Sequence, residues 1–379
     1  MKDRLVPLAL AFLKLGFTAF GGPAAAYAMM REEFVIRRKW LSEDGFFDFL
    51  GVANLVPGPN ATELAILIGN HVAGWRGFIV AGICYIFPAM LTVLGLAWAY
   101  VQFGTLPALE GVLFGIKPVV VAILLAGTWG ILKSRIRNFA GLAIALAAGL
   151  AYLAGVSPFL LLIAGGLILG IYRFIQQSTL PPSLTLLLLA LPVRLAEPTA
   201  QSVPFSLGRL FWVFLKAGAM MLGSGYVLLA FIHDDLVVRL GWLTEAEMID
   251  AIAVGQVTPG PLSSTATFVG YVMGGLPAAV LASLAMFIPS FIFIGIVARL
   301  VEKIRANKHY EGVIEGVNFT ALGLMAGVTW EISTTAIVDP ITGGIATLSL
   351  LLLLVARLSS PWLILGGAVI GLAKMLLAG

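Results

Sequence analysis

Apolar runs of about 20 residues follow one another along the whole chain, each long enough to cross the ~30 Å hydrocarbon core of a bilayer as a helix. Of 379 residues, 60% are hydrophobic and only 11% charged; soluble domains carry about a quarter charged residues. The expected class is therefore an all-α polytopic membrane protein. The net charge of +4 says little about partners. The single cysteine, Cys84, lies in an apolar run, so no disulfide closes within the chain. His71, His233 and His309 stand in no metal-ligand or nucleophile–base spacing, which argues against an intramembrane enzyme. The start of the chain imitates a signal peptide, but its pattern reappears in mid-chain and is read as part of the fold.

That reappearance is an internal repeat. "FLKLG" (12–16) returns as "FLKAG" (214–218), an offset of 202, and "WLSE" (40–43) returns as "WLTE" (242–245). At the same offset Asp48 falls on Asp250, Asn54 on Gln256, and "PGP" (57–59) on "PGP" (259–261). One residue is then lost; at offset 201 Gly74 meets Gly275, Pro88 meets Pro289 and "EGVLFG" (110–115) meets "EGVIEG" (311–316). The chain divides into repeats at 1–175 and 206–379, joined by a Pro-rich linker at 176–205. Each repeat reads as six elements, in the first half 6–30, a broken 46–74, 77–103, 108–132, 138–155 and 158–173.

Charge in the loops gives each half an orientation, because short cytoplasmic loops carry excess Lys and Arg. The connection 31–44 holds Arg31, Arg37, Arg38 and Lys39; its counterpart 233–247 holds Asp234, Asp235, Glu245 and Glu247 against Arg239. The loop after element 4 is basic in the first half (Lys133, Arg135, Arg137), and the loop after element 3 is basic in the second (Arg299, Lys303, Arg305, Lys308). Equivalent loops thus face opposite sides, which predicts inverted-topology repeats. With the linker on one side, inversion needs an odd number of crossings per half. This leads to about ten transmembrane helices plus two re-entrant, broken-helix hairpins, with both termini outside.

The break itself points to an anion. Proline removes a donor and disrupts the turn before it, yet suits the first turn of a helix, so "PGPNATE" and "PGPLSST" each read as a stop, a turn and a fresh helix. A helix start offers free N–H groups and about half a positive charge, and irregular backbone at bilayer depth belongs inside protein or beside a cavity. Transporters with inverted repeats aim such half-helix starts at one site near the midplane. The candidate substrate-binding residues are Pro57, Gly58, Pro59, Asn60, Ala61 and Thr62 in one half, and Pro259, Gly260, Pro261, Ser263, Ser264 and Thr265 in the other. Lys14 and Lys216 occupy one repeat position within apolar runs, where a charge costs about 2.5–3.5 kcal/mol on insertion scales and is usually functional. Each precedes a glycine-rich break, Gly21–Gly22 and Gly223–Ser224–Gly225. Two ammonium groups would balance a dianion. Asp48 and Asp250 are expected to partner the lysines or to carry protons, Glu63 is a third proton-coupling candidate, and Asn54 and Gln256 support the site. No cofactor and no metal are expected.

These motifs ("FGGP", "REEFV…KWLSE", "NLVPGPNATELA" and "GQVTPGPLSSTATFVGY") resemble those of the chromate ion transporter family, in its two-repeat form, over essentially the whole chain. The resemblance implies export of chromate, a tetrahedral dianion, across a bacterial-type cytoplasmic membrane, with resistance to chromate as the outcome and sulfate as the structural mimic. Transport of sulfate or a related divalent oxyanion is the alternative, and protons and a second copy of the chain are the other partners considered. The chain has no ATP-binding loop.

Overall fold

The computed structural model describes residues 4–20, 22–103, 107–135, 138–177, 204–221, 227–297 and 309–378. Among the described residues all regular structure is helical. In the first half the helices are α1 (Leu5–Thr18), α2 (Gly22–Arg31, continued by a π-helical turn Glu32–Arg37), α3 (Glu43–Ala53), α4 (Asn60–Phe103), α5 (Pro107–Arg135), α6 (Phe139–Leu153) and α7 (Pro158–Gln177). The second half repeats them as α8 (Leu207–Met220), α9 (Val227–Ile232, continued by a π-helical turn His233–Arg239), α10 (Glu245–Val257), α11 (Thr265–Val297), α12 (His309–Ala336), α13 (Pro340–Leu354) and α14 (Ser360–Ala378). Among the described residues, five helices are long and apolar enough to cross a membrane: α4, α5, α11, α12 and α14.

Residues 6–30, expected as one continuous element, instead form a hairpin. α1 ends at Thr18, and α2 starts afresh at Gly22 with Pro23 in its first turn. α1 has 14 residues, about 21 Å at 1.5 Å per residue, which falls short of a bilayer. Its start returns to the end of the same hairpin: the Arg4 guanidinium lies 5.7 Å from the Trp40 ring centroid, and Phe12 packs on Phe34 at 4.8 Å. The beginning of the chain therefore shares a face with the basic connection 31–44, contrary to the expected external N-terminus. α8 and α9 fold back in the same way, with Phe205 5.2 Å from Trp242.

The expected second hairpin is present. Ser42 caps α3 by accepting from the Gly45 N–H. The chain then breaks at 54–59, and α4 returns alongside, with Phe49 5.6 Å from the His71 ring. At Gly74 (φ 63°, ψ −151°) α4 reverses again. Its two arms then pack so closely that a Cβ on Gly69 would lie 2.3 Å from the Gly77 carbonyl oxygen. Gly275 (φ 68°) makes the equivalent reversal in α11. Both positions use the left-handed backbone that glycine adopts without a steric cost.

The repeats interlock. α5 packs on α13 and α14 of the other half, and α12 on α6 and α7; α4 and α11 join the two sets of hairpins. The interlocking is not symmetric. α9 and α10 pack against α5, α7, α12 and α14, whereas α2 and α3 pack principally on α4. The buried apolar side chains follow suit: those of α8–α11 run continuously into α5 and α12, while those of α1–α3 form a separate cluster with α4.

Candidate functional site

Two backbone contacts join the hairpins of one repeat to those of the other. The Gly58 N–H donates to the Met221 carbonyl at 2.7 Å, and the Gly260 N–H donates to the Ala19 carbonyl at 3.0 Å. Each PGP turn is thus tied to the end of the lysine-bearing helix of the other repeat. Gly58 (φ 142°) and Gly260 (φ 94°) have backbones that L side chains rarely adopt. A Cβ at Gly58 would fall 1.7 Å from Glu63 Oε1 and 2.5 Å from Ser290 Oγ, and one at Gly260 would fall 2.7 Å from the Ala89 Cβ. Ala89 and Ser290 are repeat equivalents, so the two tips have matching surroundings.

After Pro59 a helix starts at Asn60. After Pro261 a short 3-10 turn, Leu262–Ser264, precedes α11. Pro57 is half-buried; Pro59, Ala61 and Thr62 are buried, as are Pro259, Pro261, Ser263, Ser264 and Thr265. The hydroxyls differ from expectation in where they aim. Ser264 donates to the Pro261 carbonyl (2.8 Å) and Thr265 to the Leu262 carbonyl (2.7 Å), so their protons are already committed to backbone. Ser263 lies 3.9 Å from the Met221 sulfur. Asn60 donates from Nδ2 to Asn54 Oδ1 at 2.7 Å. Gln256 is half-buried, with a buried Nε2 that has no hydrogen-bond partner.

Glu63 is completely buried. Ser290 donates to its Oε1 at 3.2 Å, while Oε2 and the neighbouring Thr62 Oγ1 have no protein partner. Buried polar atoms are nearly always satisfied, which makes these two oxygens beside the helix start exceptions to the rule.

The lysines stand back from the tips, each facing the returning leg of its own hairpin. Lys216 is ion-paired with Asp235, which also pairs with Arg239 at 3.2 Å. Lys14 lines a cavity of about 330 Å³ with Thr18, Glu32, Glu33 and Arg37. Glu33 accepts from Arg37 (2.9 Å) and Arg38 (2.6 Å). Burial alone would push its carboxyl up, but the hydrogen bond from Arg38 and the charges of Arg38, Arg37 and Lys14 hold it below the usual range. The acids beside the lysines are therefore Glu33 and Asp235, which the sequence reading treated as loop charge. Their signal was present: at offset 202 Glu33 falls on Asp235 and Arg37 on Arg239. Asp250, expected to partner Lys14 or Lys216 or to carry a proton, instead meets Lys117 of the other half at 3.4 Å and accepts from the Tyr100 hydroxyl at 3.0 Å. Asp48 is exposed on α3. Gly22 opens α2; Gly21, Gly223, Ser224 and Gly225 lie outside the described residues.

The family model described as "Chromate transporter" matches residues 6–171 and again 208–372. The "Chromate transport protein" of Cupriavidus metallidurans is 30% identical over 373 residues, covering 96% of this chain and 92% of its own. The "Chromate transport protein" of Pseudomonas aeruginosa is 33% identical over 333 residues (85% of this chain, 79% of its own). The "Probable chromate transport protein" of Synechococcus elongatus is 31% identical over 323 residues (83% and 81%). No solved structure matches. With the motif-bearing hairpins in both matched segments, an all-α build and helices apolar enough to span a bilayer, the chain is a multi-pass membrane protein that belongs to the chromate transporter family.

Proposed function

We propose that this protein exports chromate across the cytoplasmic membrane as a secondary carrier, binding the anion beside the two PGP turns and the helix starts that follow them. The observation that carries this reading is the reciprocal pair of bonds from Gly58 to Met221 and from Gly260 to Ala19. Each bond fixes one PGP turn, and the helix start that follows it, against the end of the lysine-bearing helix of the other repeat. Helix starts offer N–H donors and partial positive charge, and chromate brings two negative charges and four acceptor oxygens. Lys14 and Lys216 add cationic charge on the approach, in cradles where each already competes for a carboxylate. An arriving dianion would exchange with Glu33 or Asp235 for the ammonium group.

With the cell interior negative, moving one charge is worth about 2.3 kcal/mol per 100 mV, so expelling a dianion is favoured by about 4.6 kcal/mol per 100 mV. Export down the potential needs no co-ion. Against a steep gradient, Glu63 is the proton carrier this reading favours, because its carboxyl lies beside the Gly58 tip with an unpartnered oxygen. The cargo rests on the relatives' names. A site built from backbone donors and ammonium groups would also accept sulfate, which has the same charge and shape.

Everted vesicles or proteoliposomes carrying the purified protein test this directly. Chromate should accumulate when the compartment it enters is made positive, and unlabelled sulfate should compete weakly. Accumulation of sulfate with chromate as the weak competitor would reassign the cargo, and no flux of either anion would end the reading.

A further inference from the structure

The two hairpin connections share one charge pattern with a single telling exchange. At offset 202, Glu33 falls on Asp235, Arg37 on Arg239 and Glu43 on Glu245, but Arg31 falls on His233. Both pairs form. Arg31 Nε donates to Glu43 Oε1 at 2.7 Å in an exposed setting. His233 Nε2 lies 2.7 Å from Glu245 Oε1, with its side chain only 2% exposed. The imidazole has further neighbours that the arginine lacks. Its Nδ1 is 2.7 Å from the Tyr152 hydroxyl on α6 and 3.3 Å from Glu331 Oε2 on α12. The repeat equivalents of Tyr152 and Glu331 are Leu353 and Gly130, so this cluster exists in one half only.

We propose that His233, Tyr152, Glu245 and Glu331 form a proton-binding site that fastens the second-half hairpins to α6 and α12 on the extracytoplasmic side, and that losing the proton unfastens them. This rests on the transporter reading above. Hydrogen-bond counting gives the reason. An imidazolium donates from both nitrogens: Nε2 to Glu245 and Nδ1 to Tyr152, leaving the phenol proton free for Glu331. A neutral ring that keeps its Nε2–H for Glu245 turns Nδ1 into an acceptor. The Tyr152 proton then goes to Nδ1, and Glu331 is left with no donor and no cation. Among the described residues, the Glu331 carboxyl has no donor besides the Tyr152 hydroxyl and the ring 3.3 Å away, so both are what hold it. Three elements face the ring with carboxyl or phenol groups: α10 with Glu245, α12 with Glu331 and α6 with Tyr152. Its own element adds Asp234, whose cationic neighbours are Arg239 and Lys216. Around a neutral imidazole these acids repel one another across the boundary between hairpins and outer helices. The pair Arg31–Glu43 on the opposite face has a guanidinium in place of the imidazole and reaches no such outer helix, so the proposed proton control acts on one face alone.

The test reads opening rather than transport, so a wrong cargo leaves it intact. In a Cys84→Ser background, Ala336→Cys places a thiol at the buried end of α12, beside the cluster; Ala336 is 3% exposed. Val338→Cys, at a position 68% exposed, reports the intrinsic thiol reactivity at each pH. Labelling by a membrane-impermeant maleimide from the extracytoplasmic side, taken as the 336-to-338 ratio, should rise several-fold from pH 5.5 to pH 8. His233→Gln should give a high ratio at every pH, and Glu331→Gln should also remove the pH dependence. A ratio that is flat with pH in the unmodified cluster, or a pH dependence that survives His233→Gln, overturns the proposal. The first of these outcomes needs no variant of the cluster to fold.

Discussion

At the scale of single residues, the lysine cradles connect stability and transport in a way that can be separated. Lys216 and Asp235 form a pair with side chains 30% and 6% exposed, and Arg239 remains as a second partner for the acid. Lys216→Ala should therefore destabilise by about 1–3 kcal/mol, between the values for exposed and fully buried pairs, and should reduce chromate flux to background. Lys216→Ala combined with Asp235→Ala should regain most of the stability in detergent thermal unfolding without regaining flux. Recovery of flux in the double variant would make the lysine a structural group. The hairpin glycines give a second contrast. At Gly74 nothing lies within 4 Å of an added Cβ, so Gly74→Ala should cost only the backbone strain of about 1–3 kcal/mol. At Gly58 the new methyl would meet Glu63 and Ser290 as well, so Gly58→Ala should be markedly less stable and transport-dead. Paired thermal unfolding and flux measurements decide the order. The positions of Lys14, Lys216 and the PGP turns were legible because a repeat offset flags any unusual residue that occurs twice. The partners Glu33 and Asp235 lay in the same alignment but were missed, because an offset gives equivalence and not the direction in which a chain folds back.

Among the elements, the two kinds of hairpin differed in how openly the sequence announced them. Two prolines around a glycine forbid a continuous helix at 57–59, so that break was readable from backbone chemistry alone. The break after Thr18 is marked only by two glycines and one proline (21–23) inside an apolar stretch long enough to span, and hydropathy measures length without detecting reversal. The reversal at Gly74 is equally quiet, since the apolar run continues through it. Folding α1 back on α2 has a consequence that a single span would forbid. Arg4→Cys and Trp40→Cys, again with Cys84→Ser, should cross-link with a short bifunctional thiol reagent, because the native side chains touch at 5.7 Å. A continuous 6–30 helix of 25 residues would place its two ends about 37 Å apart, and no such product would form.

For the molecule as a whole, loop charge anticipated opposed orientations, but nothing in one sequence anticipated that α5 and α12 would each be gripped by the other half. That exchange depends on tight helix contacts, such as Gly115 against the Gly367 carbonyl, where a Cβ would lie 1.9 Å away. The outer helices α5–α7 and α12–α14 thereby make one frame around the hairpins. The unequal packing of the hairpins against this frame carries a conformational meaning. Two similar halves should pack alike unless the molecule has settled on one side of an alternating cycle. α9 and α10 are pressed onto the frame while α2 and α3 are not, and the Lys14 cavity opens beside the basic connection; on the proposed carrier function, this packing corresponds to a state open to the cytoplasm. Ala28 is exposed, and its repeat equivalent Ala230 is fully buried. Ala28→Cys should therefore react with an impermeant maleimide in everted vesicles, while Ala230→Cys should stay protected in right-side-out ones. During turnover, with chromate supplied at the cytoplasmic face and the far side positive, the population should shift toward the opposite state. Protection should then grow at position 28 and fall at position 230, in proportion. Two cysteines that change independently, or in the same direction, would mean that the halves do not exchange roles and that the unequal packing is a fixed property of the fold.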